Sequence, residues 1–220
     1  MASAEVADGV WVVTAGAFSS NSYICALDAP GQAILIDAGL DPQAIEDALV
    51  GLGLEVSNVF CTHGHFDHLG GAAFFSAKYG APVHLHASDL PTAQRNNFLL
   101  MAMGLPDRIT LPEVELVEDG QAYDFHGRLL TFRHCPGHTP GSCVIEFGRD
   151  MFSGDSIYAR GVGLSKLPGE RPDQLRASIR TLWDRLDDFV VHPGHGPSAP
   201  GATVKEDNLA LRKFLKADQT

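Results

Sequence analysis

The chain has few basic residues, with 16 Lys and Arg against 27 Asp and Glu and a formal net charge of −11. Nucleic-acid binding needs a basic surface, so this balance argues against a nucleic-acid partner. No apolar run approaches the ~20 residues of a membrane-spanning helix. The first nine residues include acidic side chains and no basic ones, unlike a signal or transit peptide. We therefore expect a soluble cytoplasmic protein that binds neither nucleic acid nor membrane.

Cysteine is also scarce, and the four residues have no paired spacing: Cys25, Cys61, Cys135 and Cys143. This pattern favours reduced thiols in a reducing compartment over a disulfide framework. Cys61 and Cys135 each precede a histidine-bearing loop. We expect both to be small buried residues, with metal ligation as the less favoured alternative.

The composition is that of an ordinary soluble globular protein, with 45% hydrophobic and 20% charged residues. No segment has the composition or length of a linker between domains. We therefore predict a single domain over residues 1–220, with an oligomeric state that the sequence does not specify.

The densest group of potential metal ligands is His63, His65, Asp67 and His68. Imidazole nitrogen and carboxylate oxygen are donors that borderline divalent metals accept. The apolar run 59–61 before the group predicts a buried strand, and the run 72–79 after two glycines predicts a helix. The four ligands are thus expected on a strand-to-helix loop.

Side chains alternate along an extended segment, so His63 and His65 point to the same side and can share one metal. Asp67 and His68 follow where the chain begins to turn. They can then face a second metal beside the first.

Three later segments each place one potential ligand directly after a predicted strand. His138 lies between two Pro-Gly turns that restrict the backbone around it. Asp155 ends another strand, where a carboxylate can bridge two cations. His195 lies at the glycine-flanked apex of a Pro-Gly-His-Gly-Pro turn. His134 and His192 are nearby strand residues that we do not expect to be ligands.

Some polar and apolar residues leave alternatives open. Asp37 is either a surface turn residue or a carboxylate that supports a metal-bound histidine. His84 and His86 share one side of a predicted edge strand, and hydrogen-bonded or solvated imidazoles are favoured there over ligands. The run 98–103 favours a helix packed on the core, with a lid over the substrate as the alternative.

Helical patterns accompany the strands in both halves of the chain. Asp41 and Pro42 predict the start of a helix that ends at Gly53. An apolar stripe predicts one helix over 172–186, and residues 205–216 predict one amphipathic helix. Strands precede helices in both halves, so we expect two similar sheet-plus-helix halves with the site at one edge.

The four motifs HGHFDH, PGHTPGS, SGDS and PGHGP, in this order, resemble those of the metallo-β-lactamase superfamily. Within it, the chain is most similar to glyoxalase II-like (hydroxyacylglutathione hydrolase-like) metallo-hydrolases. The resemblance covers nearly the whole sequence. It implies an α/β fold, a four-layer αββα sandwich with a two-metal site at one edge of the two sheets.

The resemblance also implies a ligand set. His63, His65 and His138 would bind one divalent metal, Asp67, His68 and His195 the second, and Asp155 would bridge them. Zinc is the expected metal, with iron or manganese as alternatives. A metal-bound hydroxide would attack a thioester, ester or lactone of small-molecule size, while Asp67 or Asp155 acts catalytically by holding or relaying the proton.

Two departures from the resembled enzymes concern the substrate. We expect no separate C-terminal glutathione-binding domain, since only residues 198–220 follow the last motif. Leu164 stands where a basic residue is common in the resembled enzymes. Tyr158, Arg160 and Lys166 are candidate substrate contacts on the loop after Asp155. A mononuclear iron enzyme similar to persulfide dioxygenases is the alternative function. A ribonuclease-type activity is disfavoured by the net charge, and a non-catalytic module by the complete ligand set.

Overall fold

Two mixed β-sheets packed face to face form the centre of the protein, in a computed structural model that describes residues 3–217. In this range the first sheet has seven strands in chain order: β1 (Ala4–Ala7), β2 (Val10–Ala15), β3 (Ser20–Ala26), β4 (Gln32–Ile36), β5 (Glu55–Phe60), β6 (Val83–His86) and β7 (Val114–Val117). The second sheet has six strands, and neighbouring strands are again consecutive in the chain: β8 (Ala122–Phe125), β9 (Arg128–His134), β10 (Cys143–Phe147), β11 (Asp150–Gly154), β12 (Val190–Pro193) and β13 (Ala199–Pro200).

Helices cover the outer face of each sheet, and short helices lie at the edge where the ligand loops emerge. They are α1 (Pro42–Leu52), α2 (Phe66–Leu69), α3 (Ala72–Tyr79), α4 (Leu90–Gln94), α5 (Asn96–Ala102), α6 (Pro172–Leu182), α7 (Gly201–Asp207) and α8 (Leu209–Lys216). No helix within residues 3–217 has the length and apolar character needed to cross a membrane.

Strand β4 illustrates why the sandwich has four layers. Its apolar residues are continuous because both faces are buried. Leu35 packs in a cluster with Ile45 and Leu49 of α1, whereas Ile34 and Ile36 belong to the cluster between the two sheets. The alternation of side chains along the strand thus supplies two cores at once.

Strand β10 makes the same division in the second sheet. Ile145 and Phe147 face the inter-sheet cluster, and Val144 faces the cluster that contains Leu175 and Ile179 of α6. A helix layer, two sheets and a second helix layer follow one another. The predicted αββα sandwich is therefore confirmed.

Two predicted helices have different bounds. Helix α6 ends at Leu182 and continues as a 3-10 segment to Asp188, so the predicted helix 172–186 is too long. The predicted helix 205–216 is two helices, α7 and α8, divided at Asn208. The Asn208 side chain accepts from Leu211 N and donates to Tyr158 O, a tertiary contact that favours the break.

Strand β6 is internal, so the expectation of an edge strand for His84 and His86 was wrong. It pairs with β5 on one side and β7 on the other, both in parallel. The preference for hydrogen-bonded imidazoles was correct. His84 Nε2 lies 2.9 Å from Asn58 Oδ1, and His86 Nδ1 accepts from Ser88 N.

The topology places several strand ends at one edge of the sandwich. Strands β4 and β5 are parallel, as are β11 and β12, so the carboxyl ends within each pair lie side by side. These strands lead into Asp37, the loop around His63, Asp155 and the loop around His195. The β9–β10 connection brings His138 to the same edge.

Candidate metal centre

Seven side chains predicted as metal ligands converge at this edge. Six of them are buried, and the His195 side chain is partly exposed. Three groups have donor atoms within 4.8 Å of one another. The first group is His63 with His65 and His138, and the second group is Asp67 with His68 and His195. The third is His63 with His68 and Asp155, and it overlaps both of the others. The structure therefore brings together every residue of the predicted ligand set.

The first group is a compact set of three imidazoles. The rings of His63, His65 and His138 lie 4.9 Å apart pairwise and nearly perpendicular to one another. His138 Nε2 is 3.1 Å from His65 Nδ1. Nitrogens bound tetrahedrally at about 2.0–2.1 Å from Zn²⁺ would lie about 3.3–3.4 Å apart, which is close to this spacing.

The protonation of the first group favours ligation. Burial lowers the pKa of His65 to about 3, and nearby His138 acts in the same direction. Burial also lowers the pKa of His63 well below its usual value. Both rings are consequently neutral at physiological pH, the form in which imidazole binds a metal.

The second group combines a carboxylate with two imidazoles. Asp67 Oδ2 lies 3.6 Å from His68 Nε2 and 3.3 Å from His195 Nε2. Burial alone would favour the neutral form of Asp67, but His68 and His195 outweigh it and lower the pKa of the carboxyl. Asp67 is therefore anionic and available as a ligand.

Asp155 lies between the two groups. Its Oδ1 is 3.5 Å from His68 Nε2, and its Oδ2 is 3.5 Å from His138 Nε2 and 3.6 Å from His195 Nε2. One carboxylate thus approaches histidines of both groups, which is the position that a bridging ligand requires.

Three carboxylates lie near His68, and together they favour a positive charge at this position. Burial would lower the pKa of this ring, but Asp67, Asp155 and Asp37 together raise it to about 10. Protonated His68 then compensates part of the carboxylate charge. A bound divalent cation supplies such compensation more fully, because it carries two charges.

Three atoms that could bind a metal have no hydrogen-bond partner among the described residues: His63 Nε2, His68 Nε2 and Asp155 Oδ1. Buried polar atoms are normally paired, so these orphans need an explanation. All three point into the groups that could hold an ion, and their chemistry suits a divalent metal. The residues therefore fit such a centre.

Asp37 supports the second group through a hydrogen bond to His68. Its Oδ2 accepts from His68 Nδ1 at 2.8 Å, which leaves Nε2 as the free donor atom. Its carboxylate also accepts from the backbone N–H and the hydroxyl of Thr62. Asp37 is buried, so the alternative in which it supports a histidine is correct and the surface-turn alternative is wrong.

Replacing Asp37 with alanine is expected to weaken metal binding about 10- to 100-fold, because His68 loses the acceptor that fixes its ring. A chelator-competition titration measures this. Asp41→Ala is the matched control, since Asp41 caps α1 through Ala44 N and lies outside the site. It should cost about 1 kcal/mol of stability and leave affinity unchanged. Equal affinities in both variants would contradict the role of Asp37.

His138 is held in a comparable way. Its Nδ1 donates to Gly163 O at 3.0 Å, which directs Nε2 toward the other ligands. Thr62 Oγ1 lies 3.1 Å from His63 Nδ1. A support on the far nitrogen of each ring thus fixes the orientation of the near one.

The candidate substrate contacts differ in position. Tyr158 is partly buried, and its ring lies 6.2 Å from that of His195. Burial and Asp155 raise the pKa of the phenol. Arg160 and Lys166 are exposed on the loop after Asp155, as is Leu164. Only Tyr158 has a described contact with a candidate ligand.

The predicted helix at 98–103 is part of α5, which spans Asn96–Ala102 and follows the short helix α4. Leu100 is buried in α5, whereas Phe98 and Met101 are exposed. The helix therefore packs through one face only, and a lid formed by the other stays a hypothesis.

Other histidines and the cysteines lie outside the three groups. His134 stacks on His86, and His192 bonds to Asp150 and Ser198. All four cysteines are buried free thiols, as expected. Sequence reasoning missed the supports from Gly163 and Asp89, whose partners are at least 25 positions away. It also missed the support that Thr62 gives to its neighbour His63.

Comparison with known proteins gives consistent results. The model of the metallo-beta-lactamase superfamily matches residues 15–195. Hydroxyacylglutathione hydrolase of Anaeromyxobacter dehalogenans is 32% identical over 203 residues, which cover 91% of this chain and 69% of that protein. Hydroxyacylglutathione hydrolase GloC of Haemophilus influenzae is 29% identical over 213 residues, covering 91% and 96% respectively.

Among solved structures, TTHA1623 in a di-iron-bound form superposes with a TM-score of 0.81 at 32% identity, covering 90% of this chain and 98% of that one. These findings confirm the resemblance inferred from the four motifs, and they agree with the fold. They support a divalent metal without fixing which one.

Proposed function

We propose that this chain, which belongs to the metallo-beta-lactamase superfamily, is a dinuclear metal-dependent hydrolase of small-molecule thioesters, esters or lactones. The observation that carries the proposal is the pair of adjacent donor groups with Asp155 between them. One group alone would hold one ion. Two groups that share a carboxylate are suited to two ions a few ångströms apart.

In the proposed site, His63, His65 and His138 would hold one metal and Asp67, His68 and His195 the other. Asp155 would be the ligand that they share. When bound, a metal pair supplies hydroxide near neutral pH, since a coordinated water can have a pKa of about 7, and polarises a carbonyl oxygen. The zinc form is the proposed one, with iron or manganese as alternatives.

The chain's own residues then orient and move protons. Asp67 and Asp155 place carboxylate oxygens at the centre of the site, beside His68, where they can accept the proton of the attacking water. Tyr158 lies beside His195, and burial and Asp155 raise the pKa of its phenol, so its protonated hydroxyl can donate a hydrogen bond to the substrate. Asp37 and Gly163 keep His68 and His138 in fixed orientations throughout.

The substrate class is inferred from chemistry and from relatives. Two relatives bear the name hydroxyacylglutathione hydrolase, which supports acyl hydrolysis. Leu164 exposes an apolar side chain next to Gly163, the residue that holds His138. Arg160 and Lys166 offer positive charge on the same loop for an anionic substrate group. We propose that the substrate is a thioester, with esters and lactones as the other candidate substrates.

The test is hydrolysis by zinc-loaded protein of a panel containing a glutathione thioester, an acyl-coenzyme A thioester, a simple ester, a lactone and a β-lactam. The proposal expects turnover of at least one thioester, ester or lactone, its loss with chelator and its return with Zn²⁺. Turnover of none of these three classes by fully loaded protein would contradict it.

A second function is favoured by one specific observation. His63, His68 and Asp155 have donor atoms close together, and two histidines with one carboxylate form the facial triad of mononuclear iron oxygenases. This alternative is the persulfide dioxygenase-like enzyme. Oxygen consumption with a persulfide by protein containing one iron per chain would favour it over the hydrolase.

A further inference from the structure

Asp89 is a buried carboxylate between β6 and α4 that the proposed reaction does not use. It is fully buried, and its two oxygens accept four hydrogen bonds from neutral donors. One of them, Thr92 Oγ1 at 3.1 Å, belongs to α4, which directly follows Asp89. The other three come from segments that carry candidate metal ligands.

These three donors link two separate loops. Asp89 Oδ2 accepts from Gly64 N at 2.6 Å and from Thr139 Oγ1 at 2.8 Å, while Oδ1 accepts from Gly141 N at 2.9 Å. Gly64 lies between His63 and His65, and Thr139 directly follows His138. The first loop extends from the first sheet and the second from the other sheet. A single carboxylate therefore joins them.

The packing around Asp89 leaves no room for larger residues at the two glycines. A Cβ on Gly64 would lie 2.9 Å from Asp89 O, and a Cβ on Gly141 would lie 2.5 Å from Asp89 N. Contacts below 3.0 Å require the backbone to move. The two glycines are thus explained by the close approach of Asp89.

The peptide between the two histidines is also held from its other side. Asn96 in α5 donates from Nδ2 to Gly64 O at 2.8 Å, and its side chain is buried. Both the N–H and the C=O of Gly64 are therefore bound by residues 89–96. This segment therefore holds the His63–His65 loop through hydrogen bonds of the chain itself.

We propose that Asp89 is a positioning residue that sets the separation of the His63–His65 loop from the His138 loop, and so the affinity of the first group for its metal. The inference deepens the proposed function and rests on it. A ligand set already at the right spacing spends less of its binding free energy on ordering the loops.

The test compares two isosteric Thr→Val variants that each remove one hydroxyl from the same carboxylate. Thr139→Val removes the hydrogen bond between Asp89 and the His138 loop. Thr92→Val removes only the hydrogen bond between Asp89 and α4. Thr139→Ser keeps the hydroxyl, together with its contacts to Asp89 and Ser142, and should restore binding. Asp89→Asn is the fourth variant, because its amide cannot accept from all four donors.

Zn²⁺ affinity is measured by competition with a chromophoric chelator, and the site geometry by the visible absorption of the Co²⁺-loaded protein. We expect Thr139→Val and Asp89→Asn to bind Zn²⁺ about 10-fold or more weakly and to show altered Co²⁺ bands. Thr92→Val and Thr139→Ser should stay within about twofold of wild type. Thermal unfolding of the metal-free proteins verifies that all four fold.

Three results would overturn the inference. Thr139→Val and Thr92→Val could bind Zn²⁺ equally, or Asp89→Asn could fold and retain wild-type affinity and Co²⁺ bands. In either case the proposed hydrolase survives and only the positioning role fails. Wild-type protein that binds no Zn²⁺ would overturn the proposed function as well.

Discussion

Asp155→Ala is expected to lower kcat/KM about a thousandfold or more while the metal-free protein stays folded. Asp155 is the carboxylate that approaches histidines of both donor groups, so its removal separates the two halves of the site. A loss of about 4 kcal/mol of transition-state stabilisation corresponds to this factor. Steady-state hydrolysis of the best panel substrate, with circular dichroism of the metal-free variant, measures it.

Asp150→Ala is the matched control. Asp150 lies at the other end of β11, is 6% exposed against 7% for Asp155, and also contacts a histidine, His192. It lies outside the donor groups and pairs with Arg128. Its loss should cost several kcal/mol of stability, as for a broken buried pair, and leave kcat of the folded fraction within a few-fold. Full activity in Asp155→Ala would contradict the proposed site.

His84→Ala is expected to reduce the free energy of unfolding by about 2–4 kcal/mol without loss of activity per folded molecule. His84 is buried, stacks on Phe60 at 4.5 Å, and contacts both Asn58 and Tyr123. The substitution leaves a cavity between the sheets and unpaired polar partners. Urea unfolding and activity assays measure the two effects, and His138→Ala should show the reverse pattern.

The stability difference between wild type and His84→Ala should depend on pH. Burial lowers the pKa of His84, and Glu115 offsets this only in part. The unfolded chain then takes up a proton at this residue below about pH 6.5, before the folded protein does. The difference in the free energy of unfolding between wild type and His84→Ala is therefore largest above about pH 6.5 and decreases as the pH falls. A variant that loses metal binding instead would identify His84 as a ligand.

The metal loops could be predicted from sequence because their information is local. His63, His65, Asp67 and His68 lie within six positions, and Pro-Gly turns mark His138 on both sides. Their ligand chemistry is evident from residue type and spacing. The sandwich could be predicted because the four motifs resemble those of a superfamily, and that resemblance implies its fold.

Other features could not be predicted because they depend on contacts between distant segments. Asp89 contacts residues that are 25, 50 and 52 positions away, and nothing near it in sequence distinguishes it from a surface aspartate. Strand β6 is internal because β7 pairs with it after a long connection, which contains α4 and α5 and then residues 105–113 without regular structure. Asn208 divides a continuous amphipathic pattern through its contacts with the loop around Tyr158.

The central claim is that two metal ions occupy this edge of the sandwich. It is tested most directly by elemental analysis of protein purified without added metal or chelator, normalised to protein concentration. The account predicts close to two divalent ions per chain, and about one per chain in the Asp67→Ala variant, whose second group is incomplete. One iron per chain in the wild type, unchanged by Asp67→Ala, would contradict the dinuclear site and favour the oxygenase.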